Sequence, residues 1–139
     1  MTIVLDPSVV AKWFLNDEAS READDILRRV AEGEDAVAPE IFRCEIENLL
    51  LTAERAGRIG RDDVDAALEA LRALPIQLRL PATTFQPGPE VQIARAYGLS
   101  AYDAAYLSCA DELGVELVTA GKPLAYAARA LDIPTKLVT

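Results

Sequence analysis

The chain has 139 residues, of which 51% are hydrophobic and 27% charged, with a net charge of −9 and no histidine. That length suits one domain spanning 1–139 whose core buries most of the unfolded surface, and the composition excludes a disordered chain. The acidic balance argues against broad electrostatic binding to nucleic acid, which needs clustered Lys and Arg; it leaves open an enzyme that meets phosphate through a bound divalent cation.

In chain order, short apolar runs alternate with stretches of helical period. A strand over 2–5 ends in Asp6, and Pro7 and Ser8 open a helix over 7–15. Ser20 suits the N-cap of a second helix over 20–32, which leads to a strand over 36–38. Pro39 fits a first helical turn, so the next helix is expected over 39–56, with Gly57 at its C-terminal cap and a partner helix over 61–74. Pro75 separates that pair from a strand over 76–80. Thr83 to Pro89 is loop-like, with helices over 88–97 and 101–113 ending at Gly98 and Gly114. A strand over 116–119, a helix over 123–131 and a strand over 136–138 complete the chain. Repeated strand–helix–strand order predicts a three-layer α/β/α sandwich with a mainly parallel sheet, and the pair 39–56 and 61–74 reads as an inserted helical hairpin.

Three acids stand beside predicted element boundaries. Asp6 sits at the C-terminal edge of a strand, where open parallel sheets bind ligands, and it is equally suited to cap the following helix. Glu45 falls about two turns into the helix expected from Pro39, on a stripe with Ile41, Asn48, Leu49 and Thr52. Pairing with a nearby arginine is its alternative role, and Glu40 and Glu47 lie off the stripe. Asp103 follows Ser100 at capping-box spacing, although aspartate reaches back less easily than glutamate. A doubly wound topology brings strand C-termini and helix N-termini to one edge of the sheet, so Asp6 and Thr119 would face Asp103 and, less directly, Glu45. Carboxylates gathered without bases repel strongly. Oxygen-only ligands suit Mg²⁺ or Mn²⁺, which relieves the repulsion and makes a hydrolytic site.

The remaining chemistry is sparse. Cys44 and Cys109 lack C-x-x-C spacing and a histidine, so they read as buried helical thiols in a reducing compartment and not as a zinc site or nucleophile. No apolar run approaches the ~20 residues that cross a bilayer. No leader with a basic segment and small-residue cleavage site is visible. A cytoplasmic protein without membrane contact is therefore expected.

Val4 to Leu15, with Leu5-Asp6-Pro7-Ser8-Val9-Val10-Ala11-Lys12-Trp13, resembles the opening of PIN-domain ribonucleases of the VapC toxin type. The resemblance continues through Ala38-Pro39-Glu40, Glu45-Ile46-Glu47-Asn48-Leu49, Gly98 to Leu107 and Glu116-Leu117-Val118-Thr119-Ala120, in the same order over nearly the whole chain. It implies that Asp6, Glu45 and Asp103 bind Mg²⁺ or Mn²⁺ and activate water to cleave RNA phosphodiesters, with the Ser8 and Thr119 hydroxyls beside the metal. It also implies a neutralising antitoxin and a homodimer. Lys12 and Arg43 are candidates for phosphate contact, or solvated helix charges. One position departs from the family pattern: an aspartate commonly follows Thr-Ala, and here it is Gly121. Asp111 lies ~12 Å along the helix from Asp103 and is a poor substitute. A loop after a strand often demands the positive φ that glycine allows. Loss of this acid suggests a second reading, a catalytically weakened binding protein. A third reading, a haloacid-dehalogenase-like phosphatase with Asp6 as nucleophile, lacks the second acid that such chemistry needs at the position of Ser8.

Overall fold

The computed structural model describes residues 1–80 and 83–139. Its strands are β1 (Thr2–Leu5), β2 (Asp35–Ala38), β3 (Ile76–Leu78), β4 (Glu116–Thr119) and β5 (Thr135–Leu137). The α-helices are α1 (Pro7–Phe14), α2 (Arg21–Ala31), α3 (Phe42–Arg55), α4 (Arg61–Arg72), α5 (Glu90–Tyr97), α6 (Ala101–Leu113) and α7 (Lys122–Ala130). The strands form one sheet in the order β3-β2-β1-β4-β5, and every pairing is parallel. Parallel neighbours need crossover connections, and the helices supply them. α1 packs on α2 and α3, and α3 on α4; α6 packs on α5, α7, β1 and β4. This is the expected α/β/α architecture, with α3 and α4 as the helical pair between β2 and β3.

The central strands carry the core. Ile3, Val4 and Leu5 of β1 and Leu117 and Val118 of β4 are buried on both faces of the sheet, which is why these strands read as continuous apolar runs and not as alternating ones. The edge strands are shorter and more exposed. β3 stops at Leu78, two residues before its expected end, although the Arg79 N–H still donates to the Ala38 carbonyl at 2.9 Å. From β1 the chain crosses to β2 on one side, while β4 lies on the other. The gap beyond the C-terminal ends of β1 and β4 is therefore the topological switch point of the sheet.

Several helix starts shift by one to three residues from expectation, and the shift in α3 bears on the site. Pro39 to Ile41 form a turn, with Phe42 N–H donating to the Pro39 carbonyl at 3.0 Å, and α3 begins only at Phe42. Glu45 therefore belongs to the first turn of α3 and not the second. The buried stripe of α3 is Phe42, Ile46, Leu50 and Ala53, which leaves Cys44 exposed; of the two thiols only Cys109 is buried as expected.

Leu117 is fully buried at the centre of the sheet. Leu117→Ala should lower unfolding stability by about 2–5 kcal/mol, read as a shifted urea midpoint with unchanged denaturant slope.

Candidate active site

Asp6 follows β1 and remains tied to the neighbouring strand, its N–H donating to the Val118 carbonyl at 3.0 Å. The residue is only 6% exposed, so its carboxylate needs compensation. One oxygen, Oδ2, receives all of it: the Ser8 N–H at 3.2 Å, the Ser8 hydroxyl, and the Thr119 hydroxyl at 3.1 Å. The hydroxyls are themselves oriented, because Ala120 N–H donates to Ser8 Oγ at 2.9 Å and Gly121 N–H to Thr119 Oγ1 at 3.0 Å. Each hydroxyl thus accepts from one backbone donor and donates to Asp6, and the two hydroxyls lie 3.3 Å apart. Oδ1 accepts none of these bonds, and among the described residues no fully buried side-chain oxygen is left without a partner, so Oδ1 is not completely sealed from solvent. The two candidate roles of Asp6 are thus divided between its oxygens. Oδ2 caps α1, and Oδ1 is available to a ligand.

Asp103 stands in the first turn of α6. Gly98, at φ 66°, closes α5 in the left-handed conformation that glycine adopts without strain, and two residues later Ser100 opens α6 by accepting the Asp103 N–H at 3.0 Å. The reciprocal arm of a capping box is not formed, and the Asp103 carboxylate is free of it. Glu45, from the first turn of α3, accepts a hydrogen bond from Tyr106 Oη at 2.8 Å. Tyr106 is one helical turn beyond Asp103 on α6 and is completely buried. Sequence reasoning gave Tyr106 no role. The available signal was a tyrosine where α6 faces the core, since a buried tyrosyl hydroxyl needs a partner.

The charge of Asp103 acts on both Asp6 and Glu45, and that of Asp6 on Glu45. Burial pushes the Asp6 carboxyl above the usual range, the bonds from Ser8 and Thr119 offset part of that rise, and the charge of Asp103 adds to it. Burial likewise raises Glu45, with Tyr106 opposing and Asp6 and Asp103 adding repulsion. Burial raises Asp103, partly offset by Ser100. None of the ion pairs among the described residues includes any of the three. Arg43, the nearest arginine to Glu45 in sequence, instead bridges Glu47 at 3.0 Å and Glu40 at 3.8 Å on an exposed flank of α3. Lys12 lies toward the far end of α1, with its ammonium 3.5 Å from the Glu18 carbonyl. Neither cation is brought to the acids. Beside them runs a groove of about 510 Å³, lined by Pro7, Ile41, Cys44, Glu45, Asn48 and Tyr102 among others.

Among the described residues no three acidic, cysteine or histidine side chains stand at spacing that already grips an ion. The donor set nevertheless fits a hard divalent cation: an open Asp6 oxygen, two further carboxylates without basic partners, and mutual repulsion that such a charge would relieve. Gly121 has φ −87° and ψ 115°, so the expectation of a positive φ is not met. A Cβ built there would sit 3.5 Å from Thr119 Oγ1 and 3.9 Å from Leu124 Cβ, which is ordinary contact. Neither backbone nor space requires glycine.

The fold and the site together define an open parallel α/β protein with an acidic switch-point crevice. The PIN domain family model matches residues 3–130, and the chain belongs to that family. It is similar to Ribonuclease VapC3 of Pyrobaculum aerophilum, with 27% identity over 134 residues, 96% of this chain and 100% of that protein. In fold it resembles VapBC2 from Rickettsia felis, solved bound to a DNA fragment from the promoter, with TM-score 0.70 and 13% identity over 100% of both chains. FitAcB from Neisseria gonorrhoeae gives TM-score 0.61 and 16% identity over 96% of this chain and 95% of that one. No helix among the described residues is long and apolar enough to cross a membrane.

Raised carboxyl pKa values make the folded state bind more protons than the unfolded state between the ordinary carboxylate range and the raised values. Stability contributed by these groups therefore falls as pH rises through that window. Glu34, held low by Arg29, acts oppositely, but below the ordinary glutamate value. The melting temperature of metal-free protein should rise on acidification from neutral toward about pH 5, and the rise should shrink in Asp6→Asn. A profile unchanged by that substitution would show that the Asp6 carboxyl is not raised in the folded state.

Proposed function

We propose that this protein is an Mg²⁺- or Mn²⁺-dependent endoribonuclease toxin of the VapC type, neutralised by a cognate antitoxin. The observation that carries the reading is the open Oδ1 of Asp6 beside two carboxylates, Glu45 and Asp103, that have no basic partner. Family membership and the likeness to Ribonuclease VapC3 support it. Asp6 and Asp103 would hold the ion, with Glu45 binding directly or through water. Bound there, the cation supplies Lewis-acid charge that activates water and offsets charge building on the phosphate.

The chain's own part is positional. Ser8 and Thr119 fix the Asp6 carboxylate through Oδ2, so that its second oxygen is presented in one orientation. Burial of Asp6 and Thr119 keeps bulk water from competing for those bonds. A polyanionic substrate would otherwise be repelled by a protein of net charge −9, so phosphate approach depends on the cation. Pairing of two copies and a cytoplasmic setting belong to the same reading through the resemblance. The likeness in fold to VapBC2 is in keeping with an antitoxin partner.

Gly121 favours a second reading, a binding protein with weakened catalysis, because the acid is missing at a position next to Thr119 whose backbone and Cβ space do not require glycine. Cleavage of labelled RNA against Mn²⁺ concentration separates the two. Asp6→Asn and Asp103→Asn should each lower cleavage by about 100-fold or more, the scale of losing one preorganised electrostatic group, with the fold intact. Gly121→Asp should tighten Mn²⁺ binding and raise cleavage. A silent parent beside an active Gly121→Asp variant would identify a disabled nuclease. Silence in both, with fold intact and metal bound, would remove the ribonuclease reading.

The acids also suit a guanidinium, which binds carboxylates bidentately. An antitoxin arginine inserted among Asp6, Glu45 and Asp103 would compete with Mn²⁺ for the same oxygens. Affinity for the antitoxin, measured by calorimetry, should fall as Mn²⁺ is added; affinity indifferent to Mn²⁺ would locate the partner elsewhere.

A further inference from the structure

Glu45 and Asp103 come from different helices, and little else joins those helices. α3 packs chiefly on α1 and α4, whereas α6 packs on α5, α7 and the central strands. Among the described residues, the bond from Tyr106 Oη to Glu45 Oε1 is the one side-chain hydrogen bond between α3 and α6. Tyr106 is rigidly held: it is fully buried, and its ring belongs to the main core cluster. Glu45 has the opposite character. It sits half-buried on a groove wall with a flexible side chain, and the charges of Asp6 and Asp103 push it away. With no cation bound, repulsion and side-chain entropy both favour Glu45 swinging out into the groove.

We infer that Tyr106 is a positioning residue: its buried hydroxyl tethers Glu45 Oε1 and so keeps the Glu45 carboxylate opposite Asp103 before any cation arrives. The tether uses one carboxylate oxygen and leaves Oε2 for the ion or a water on it, the same division of labour seen at Asp6. Because Tyr106 and Asp103 lie one turn apart on α6, the tether also ties the position of Glu45 to that of Asp103. This inference rests on the metal reading of the site. Groups that orient a metal-binding side chain from behind set affinity by about 10- to 100-fold when removed.

Tyr106→Phe keeps the ring and removes only the hydroxyl, so the core packing should survive, as checked by far-UV circular dichroism. Mn²⁺ affinity is measured by calorimetry on the full chain for the parent, Tyr106→Phe, Glu45→Ala and the double variant. Tyr106→Phe should weaken Mn²⁺ binding by about tenfold or more, and should weaken it no further in the Glu45→Ala background, because a residue that acts through Glu45 has nothing left to position. The same four proteins are unfolded in urea without metal, where the two substitutions should be non-additive if the tether exists in the empty site. Parental Mn²⁺ affinity in Tyr106→Phe, or an equal loss with and without Glu45, would overturn the positioning role. A parent that binds no Mn²⁺ while the urea data show coupling would sink the metal reading and this inference with it, leaving only a structural hydrogen bond. Additive urea data would remove the tether itself.

Discussion

Burial of Asp6, and half-burial of Glu45 and Asp103 beside it, with no basic side chain to neutralise them, is the constraint to which the surrounding structure answers. Each of these carboxyls is raised chiefly by burial, and two of the three also by the charge of their neighbours. A protein shaped only for stability would place an arginine among them or replace them with apolar groups. Here the arginines nearby in sequence are engaged elsewhere, as Arg43 is with Glu40 and Glu47. The acids are held by neutral donors instead. Hydroxyls and backbone N–H groups stabilise a carboxylate without cancelling its charge, so the crevice keeps its negative potential.

The sheet makes this arrangement possible. Asp6 and Thr119 stand at the ends of adjacent parallel strands, β1 and β4, so a hydrogen bond at 3.1 Å joins residues 113 positions apart in sequence. The turn that follows β4 adds the Ala120 and Gly121 N–H donors, which orient the Ser8 and Thr119 hydroxyls. Helix starts do the rest. The first turns of α3 and α6 deliver Glu45 and Asp103, and the partial positive charge at a helix N-terminus tolerates them there. Precision comes from rigid elements rather than loops, which is the arrangement a metal site requires.

Gly121 is where chemistry and scaffold part. Its φ is negative, a side chain would fit, and the nearest atom to a new Cβ is the Thr119 hydroxyl that bonds Asp6. The backbone at this position has room for a Cβ at ordinary contact distance. The departure from the family pattern therefore changes the charge of the site at a position whose backbone does not demand glycine.

Periodicity and punctuation in the sequence were enough to determine the elements and their order. Continuous apolar runs marked the doubly buried strands, and Ser20, Gly98 and Ser100 marked helix ends, because these signals act through local backbone sterics and hydrogen bonding. The acids stood out because each adjoins such a boundary. Local signals failed at Pro39, which suits a first helical turn but here lies in the turn before α3, and at Cys44, whose burial depended on which face of α3 meets the core. What only the tertiary structure decided was how the polar groups pair: which Asp6 oxygen is spent on the α1 cap, that Arg43 turns away from Glu45, and that Tyr106 reaches it from another helix. Those choices depend on distances between residues far apart in the chain, and a hydrogen bond, unlike a helical period, leaves no repeating trace in the sequence.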